Sequence, residues 1–250
     1  MKKIWVLSLI FSLVVCINVS TFALPFVKGQ IDGNPFDLTS NIQSIPGIGY
    51  MLPTTLVSQP GADINISAVM SPETRVISYV FDITDIGNAS TVDITFGLPI
   101  VPINTPNVVE VDLYGYLKDQ SSGDGATITP IGGWLHISQL SKDGGVNSIN
   151  TGVNVGPGMT GSGLSAPAKY DYGPFKTTKL GPVGSWDFLE TQVAFTISGN
   201  DDQASLTGTT VVSGVPEPNT FILFGSCLIA LGLISRVWGR KRSMENKGKL

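Results

Sequence analysis

Residues 24–214 contain no cysteine; the chain's two, Cys16 and Cys227, both lie in hydrophobic end segments. That absence excludes a disulfide framework, a thiol nucleophile and a cysteine-ligated metal from the central region. Histidine is nearly missing as well, with His136 the single example. Catalytic triads and histidine-based metal sites need partners that one imidazole cannot supply. Along Trp134-Leu135-His136-Ile137, strict alternation puts His136 on the face of Trp134, as a polar or edge-facing strand residue. Basic side chains are scarce too. The central region keeps Lys28, Arg75, Lys118, Lys142, Lys169, Lys176 and Lys179, seven against 17 acidic residues, a net charge of −10. Such a balance disfavours anionic polymers and excludes nucleic acid, for which Lys and Arg supply affinity by releasing counterions. No amphipathic helix of normal length and no internal repeat is visible, which argues against a helical bundle or a solenoid.

What the ends contain is more definite. Lys2-Lys3, the mainly apolar run 4–19 and Thr21-Phe22-Ala23 read as a secretory signal peptide over residues 1–23, to be set aside before fold reasoning. At the other end, residues 220–235 carry no charge before Arg236. At about 1.5 Å per residue, the span 220–238 is roughly 28 Å as a helix, close to the ~30 Å hydrocarbon core of a bilayer. Only a helix or a closed barrel satisfies its own backbone in lipid. Trp238 suits the headgroup boundary, and the membrane stop Arg236, Arg240, Lys241 and Arg242 marks the cytoplasmic side. Pro216 and Pro218 keep the approach to the membrane extended.

This order of elements resembles the PEP-CTERM sorting signal of many biofilm-forming Gram-negative bacteria. The resemblance rests on Val215-Pro216-Glu217-Pro218, the Asn219-Thr220 that follows, the glycine-containing apolar run and the terminal Arg-Lys-Arg. It covers only about the last 30 residues. It implies recognition by an exosortase-like sorting protease, removal of the tail, and delivery to the cell surface or extracellular matrix. This chain differs from the usual pattern in splitting its basic cluster with Val237-Trp238-Gly239 and in continuing over 243–250. The expected organisation is a signal peptide (1–23), an ectodomain (24–214), a sorting signal with a transmembrane anchor (215–242) and a short cytoplasmic tail (243–250). The last strand and hairpin before the motif also resemble the ectodomain ending common in that family.

Within the ectodomain the dominant signal is alternation of β-branched and aromatic residues with polar ones. Ile77, Tyr79, Phe81 and Ile83 share one face, with Ser78 and Asp82 opposite. Val92, Ile94, Phe96 and Leu98 repeat the pattern, as do Val109, Val111 and Leu113, then Val193, Phe195 and Ile197. Segments around Ile64, Ile128, Leu135, Val153 and Thr209 add further strands. Turn signals at Ile86-Gly87-Asn88, 99–106, 122–125 and 199–202 separate them. Eight to ten short strands at this spacing predict an all-β, antiparallel sandwich or jelly roll. Two stretches are looser. Residues 24–59 wrap the domain or form an edge strand, and 142–184 form a long loop excursion or hairpin flap.

Several groups of residues are weighed for chemistry. A glycosidase needs two carboxylates about 5–9.5 Å apart, and the only glutamates of residues 24–214 are Glu73, Glu110 and Glu190, which no short motif pairs. Calcium, a hard cation that takes oxygen ligands, has candidates in Asp119 to Asp124, Asp143 and Asp201-Asp202, although aspartate in Gly/Asn turns is ordinary turn chemistry. Tyr114-Gly-Tyr116, Tyr170-Asp-Tyr172 and Trp186 are candidates for a sugar-stacking platform. The leading expectation is a non-enzymatic, exported surface or exopolysaccharide-matrix protein without a cofactor. The alternatives are a carbohydrate-binding or calcium-dependent adhesive module and, third, a secreted glycoside hydrolase.

Overall fold

The computed structural model describes residues 23–104, 106–120, 124–142, 144–162 and 166–215. The expected signal peptide, Pro216, Glu217, Pro218, the apolar run and the basic stop lie outside them, apart from Ala23 and Val215. Among the described residues no helix is long and apolar enough to cross a membrane.

The described residues open with a hairpin of β1 (Phe26–Ile31) and β2 (Asn34–Asp37), turned through Asp32 and Gly33, both at positive φ. A single 3-10 turn leads into a meander of β3 (Gln43–Ile45), β4 (Gly49–Ser58), β5 (Ala62–Ser71) and β6 (Val76–Asp85). β7 (Ser90–Ile103) crosses to the sheet of β1, and β8 (Asn107–Asp119) crosses back. β9 (Ala126–Pro130), β10 (His136–Ser141), β11 (Ile149–Val155) and β12 (Met159–Gly161) all belong to the first sheet. β13 (Ala168–Leu180) edges the second, β14 (Trp186–Ile197) returns to the first, and β15 (Gln203–Gly214) ends in the second. The result is two antiparallel sheets. One runs β11-β10-β14-β7-β1-β2, with β9 also on β14 and β12 on β9; the other runs β13-β8-β15-β6-β5-β4-β3.

The alternation predicted from sequence decides which faces meet. Ile77, Tyr79, Phe81 and Ile83 are buried, as are Val92, Ile94, Phe96 and Leu98 from the facing sheet. Aromatic rings bridge the two layers. Tyr79 stacks on Phe96 at 4.9 Å between centroids, and Phe81 on Phe195 at 5.7 Å. Tyr79 has room for this because Gly208 lies directly across the ladder; a Cβ there would come within 2.2 Å of the Tyr79 Oη. Burying these apolar faces is the main driving force for association of the sheets.

His136 corrects the expectation drawn from its neighbours. It is fully buried, whereas Trp134 is 44% exposed. The alternation fails because Gly132 and Gly133 turn at positive φ and β10 begins only at His136, so Trp134 lies outside the strand. Inside the core His136 Nδ1 is 2.9 Å from the Tyr79 hydroxyl and Nε2 is 2.7 Å from the Thr210 hydroxyl. Thr191 donates to Thr210 at 2.8 Å. A neutral imidazole has one donor and one acceptor nitrogen, and here both are used. Burial pushes its pKa down to about 3.

The two loose stretches also prove more ordered than expected. Residues 24–59 hold β1 to β4, including edge strands β2 and β3, and 142–184 hold β11, β12 and the 13-residue β13.

Candidate functional site

The two sheets part along the edge formed by β11 and β13, leaving a groove of about 540 Å³. From β13, Phe175, Thr177 and Lys179 pair with the inward-facing Leu113, Val111 and Val109 of β8, so they share the inner side of that sheet. Trp134, Asn154 and the 155–157 turn line the other wall. A register shift between Tyr172 and Phe175, at Gly173 (φ +85), lets β13 bend here. Tyr172 is thereby turned into the core, where its hydroxyl donates to the Pro157 carbonyl at 2.7 Å and its ring meets Phe175 edge-on. Gly156, also at positive φ, sits tightly beneath; a Cβ would fall 2.6 Å from Leu113 and 2.9 Å from the Tyr172 hydroxyl. These contacts fix the floor.

The rim is held more loosely. Lys179 donates to the Gly152 carbonyl across the gap at 3.4 Å, and Lys176 pairs with Glu110 at 2.5 Å. That pairing raises the Lys176 pKa, chiefly through the hydrogen bond to Glu110. The groove therefore offers an accessible indole and a partly buried phenyl ring. Around them are an amide, a hydroxyl and two ammonium groups, with no carboxylate among the described lining residues. Such a surface can stack against an apolar ring face while satisfying hydroxyl groups at its rim.

The structure divides the predicted aromatic platform. Tyr172 and Trp186 are core residues, and Trp186 donates to the Pro182 carbonyl at 3.0 Å. The Tyr170 ring packs over Gly161, where a Cβ would lie 2.2 Å away. Only Tyr114 and Tyr116 remain outside, on the outer face of the second sheet, where the Lys169 ammonium sits 4.0 Å above the Tyr116 ring. Trp134 and Phe175 were missed. The signal for Trp134 was its position directly after a Gly-Gly turn, where alternation no longer applies.

The three glutamates do not converge on one element. Glu73 is exposed in the β5–β6 turn, Glu110 is on β8, and Glu190 is buried on β14 in the other sheet. Burial raises the Glu190 pKa, opposed by the Ser148 hydroxyl that donates to it at 2.6 Å.

Aspartates do gather at one end of the sandwich. Asp85 ends β6 and Asp119 ends β8, each continuing the buried parity of its strand. Asp202 immediately precedes β15, whose Gln203 pairs with Thr84 and with Lys118. One step further along these ladders, Asp202 lies between Asp85 and Asp119, and its carbonyl accepts the Asp85 N–H at 3.0 Å. All three carboxylates are buried. Asp85 accepts from the Gly87 N–H at 2.8 Å, Asp119 from the Gly125 N–H at 2.9 Å, and Asp202 from the Ser198 hydroxyl. Burial, with the neighbouring Asp119, Asp124 and Asp85, lifts the Asp202 pKa to about 6 against the lowering effect of Ser198. Among the described residues no three His, Cys, Asp or Glu side chains form a ready-made metal cluster. Of the earlier calcium candidates, Asp143 lies outside the described residues and Asp201 is exposed.

No family model matches the chain, and no curated protein matches it. Among solved structures, the enzymatically active domain of bacteriophage CBA120 tailspike protein 4 is 10% identical with a TM-score of 0.26, over 61% of this chain and 19% of that one. TmCBM61, in complex with β-1,4-galactotriose, is 8% identical with a TM-score of 0.26, over 61% and 88%. A mutant of the family 29 carbohydrate-binding module CBM29-2 is 10% identical with a TM-score of 0.20, over 76% and 98%. Scores this low identify neither ancestry nor ligand.

Proposed function

We propose that this chain is an exported surface or matrix protein that binds extracellular polysaccharide in the groove between β11 and β13. The observation that carries the reading is Trp134, a large indole left 44% exposed at a groove of about 540 Å³ whose other wall holds Phe175, Thr177 and Lys179. An exposed aromatic beside hydrogen-bonding groups favours a ligand that is apolar on its faces and polar at its edges, which describes a pyranose ring. The groove follows two strand edges, so it suits a polymer entering and leaving along its length. No acid–base pair is needed, since binding rather than bond cleavage is the function.

The test is affinity electrophoresis or calorimetry with soluble exopolysaccharide fractions. Trp134→Ala is expected to weaken binding about tenfold, equivalent to ~1.4 kcal/mol. Tyr114→Ala, on the outer face, should leave it unchanged. Binding that survives Trp134→Ala would eliminate this groove as the site.

The sorting half of the proposal rests on Val215-Pro216-Glu217-Pro218 and the basic stop after the apolar run. In an exosortase-positive host, intact-mass measurement of the mature protein should find the residues after the motif removed. Recovery of a chain still ending at Leu250 would refute processing while leaving polysaccharide binding standing.

A further inference from the structure

The aspartate row poses a physical problem that its hydrogen bonds do not resolve. Asp85 and Asp202 are 0% and 1% exposed, and each keeps one oxygen, Asp85 Oδ2 and Asp202 Oδ1, that is buried without a hydrogen-bond partner. Neither ion pair among the described residues, Lys28–Asp37 or Lys176–Glu110, reaches them. Directly opposed residues on neighbouring strands hold their Cβ atoms about 4.5–5.5 Å apart, and like charges there repel. A buried carboxylate without a counter-charge is costly. The row is bordered by Ala62 opposite Asp85 and Ala168 opposite Asp119, whose methyl groups supply no polar contact.

A third oxygen points to the same place from the facing sheet. Ser90, the first residue of β7, approaches the Asp85 carboxyl with both its hydroxyl and its backbone N–H; burial and, more weakly, Asp32 raise the Asp85 pKa against the lowering effect of these two groups. The residue is fully buried and its hydroxyl falls short of full hydrogen-bonding geometry, so its oxygen lone pairs remain available to a cation. Three buried oxygens from two sheets, two of them on carboxylates, thus meet no ion-pairing cation among the described residues.

We propose that Asp85 and Asp202, together with the Ser90 hydroxyl, bind a calcium ion that ties the turn before β15 to the start of β7. Calcium suits the donor set, because it takes oxygens from carboxylates, carbonyls and water in flexible geometry. Magnesium demands near-ideal octahedral geometry and gives up its water reluctantly. With two carboxylates, affinity belongs to the weak class of extracellular modules, on the order of 10⁻⁴–10⁻³ M. This inference stands apart from the polysaccharide groove, which lies on other strands.

The experiment is thermal unfolding of the purified full chain at pH 7.5, in chelator and in millimolar calcium. Calcium at about ten times its Kd is expected to raise Tm by about 3–6 °C. Asp202→Asn should melt higher than the unsubstituted chain in chelator, because it removes a repelling charge, and should lose the calcium response. Asp85→Asn, on the neighbouring strand, is expected to behave alike and serves if the first variant does not fold. Melting curves of the unsubstituted chain that superimpose in calcium and chelator overturn the site, as does a full calcium response in both variants.

Discussion

Acidification from pH 6.5 towards pH 3 is expected to cost the protein on the order of 4–5 kcal/mol of stability through His136 alone. The unfolded chain takes up a proton on this imidazole near its ordinary pKa of 6.5, whereas the folded core resists until about pH 3. Between those values the unfolded state binds more protons, so stability falls as pH falls. Above 6.5 both states hold the ring neutral and the contribution is complete. Asp202 works the other way, since its raised value favours the folded state as pH drops through about 6. The two are separated by comparing urea unfolding of the unsubstituted chain with His136→Gln from pH 7 to pH 4. Glutamine cannot titrate, so the stability difference between the chains should shrink with acidification and then reverse. A constant difference would show that the imidazole is not held neutral in the core.

Phe81→Ala is expected to be of similar severity, at about 3–5 kcal/mol. Phe81 is fully buried and stacks on Tyr79 within its own sheet and on Phe195 across the interface. Truncation therefore removes apolar burial and opens a cavity between two sheets whose backbones are fixed by their ladders. Collapse onto the gap would break registers that extend through β6 and β14. Urea denaturation at pH 7, where His136 is neutral, measures the effect. A loss below about 1 kcal/mol would mean that the layers close over the missing ring, contrary to the close packing of protein interiors. Tyr114, half exposed on the outer face, supplies the contrast: replacement by alanine should change stability by only about 0.5 kcal/mol.

The sequence was most informative where a strand is central. β6, β7, β8 and β14 have neighbours on both edges and one face on the core, so buried apolar residues recur at every second position over 77–83, 92–98, 109–113 and 193–197. β11 to β13 are at or near an edge and carry Gly152, Gly161 and Gly173, with Pro174 at the register shift. Their composition looks like loop because edge strands tolerate such residues. The same difference explains the site. Tyr170 and Tyr172 were grouped by spacing, but the core claimed one and Gly161 the other. Trp134 escaped because its exposure depends on a turn ending rather than on periodicity. Asp85 continues the Ile77-Tyr79-Phe81-Ile83 series by one position. A carboxylate at the buried parity of a strand is itself a signal, and one that turn composition, which points to Asp119, Asp124, Asp143, Asp201 and Asp202, does not carry.

The position of β15 has a mechanical consequence. Its residues pair with β6 from Gln203 to Val211 and with β8 from Gln203 to Gly214, and the Val215 N–H still donates to the Pro106 carbonyl at 3.1 Å. Tension applied through the chain beyond Val215 would therefore act along a strand clamped on both sides. Antiparallel rungs lie perpendicular to that axis, so the load is shared in shear by two ladders at once. A chain leaving from an edge such as β13 would instead peel, one rung after another. Held from this end, the sandwich bears force where it is best able to resist it.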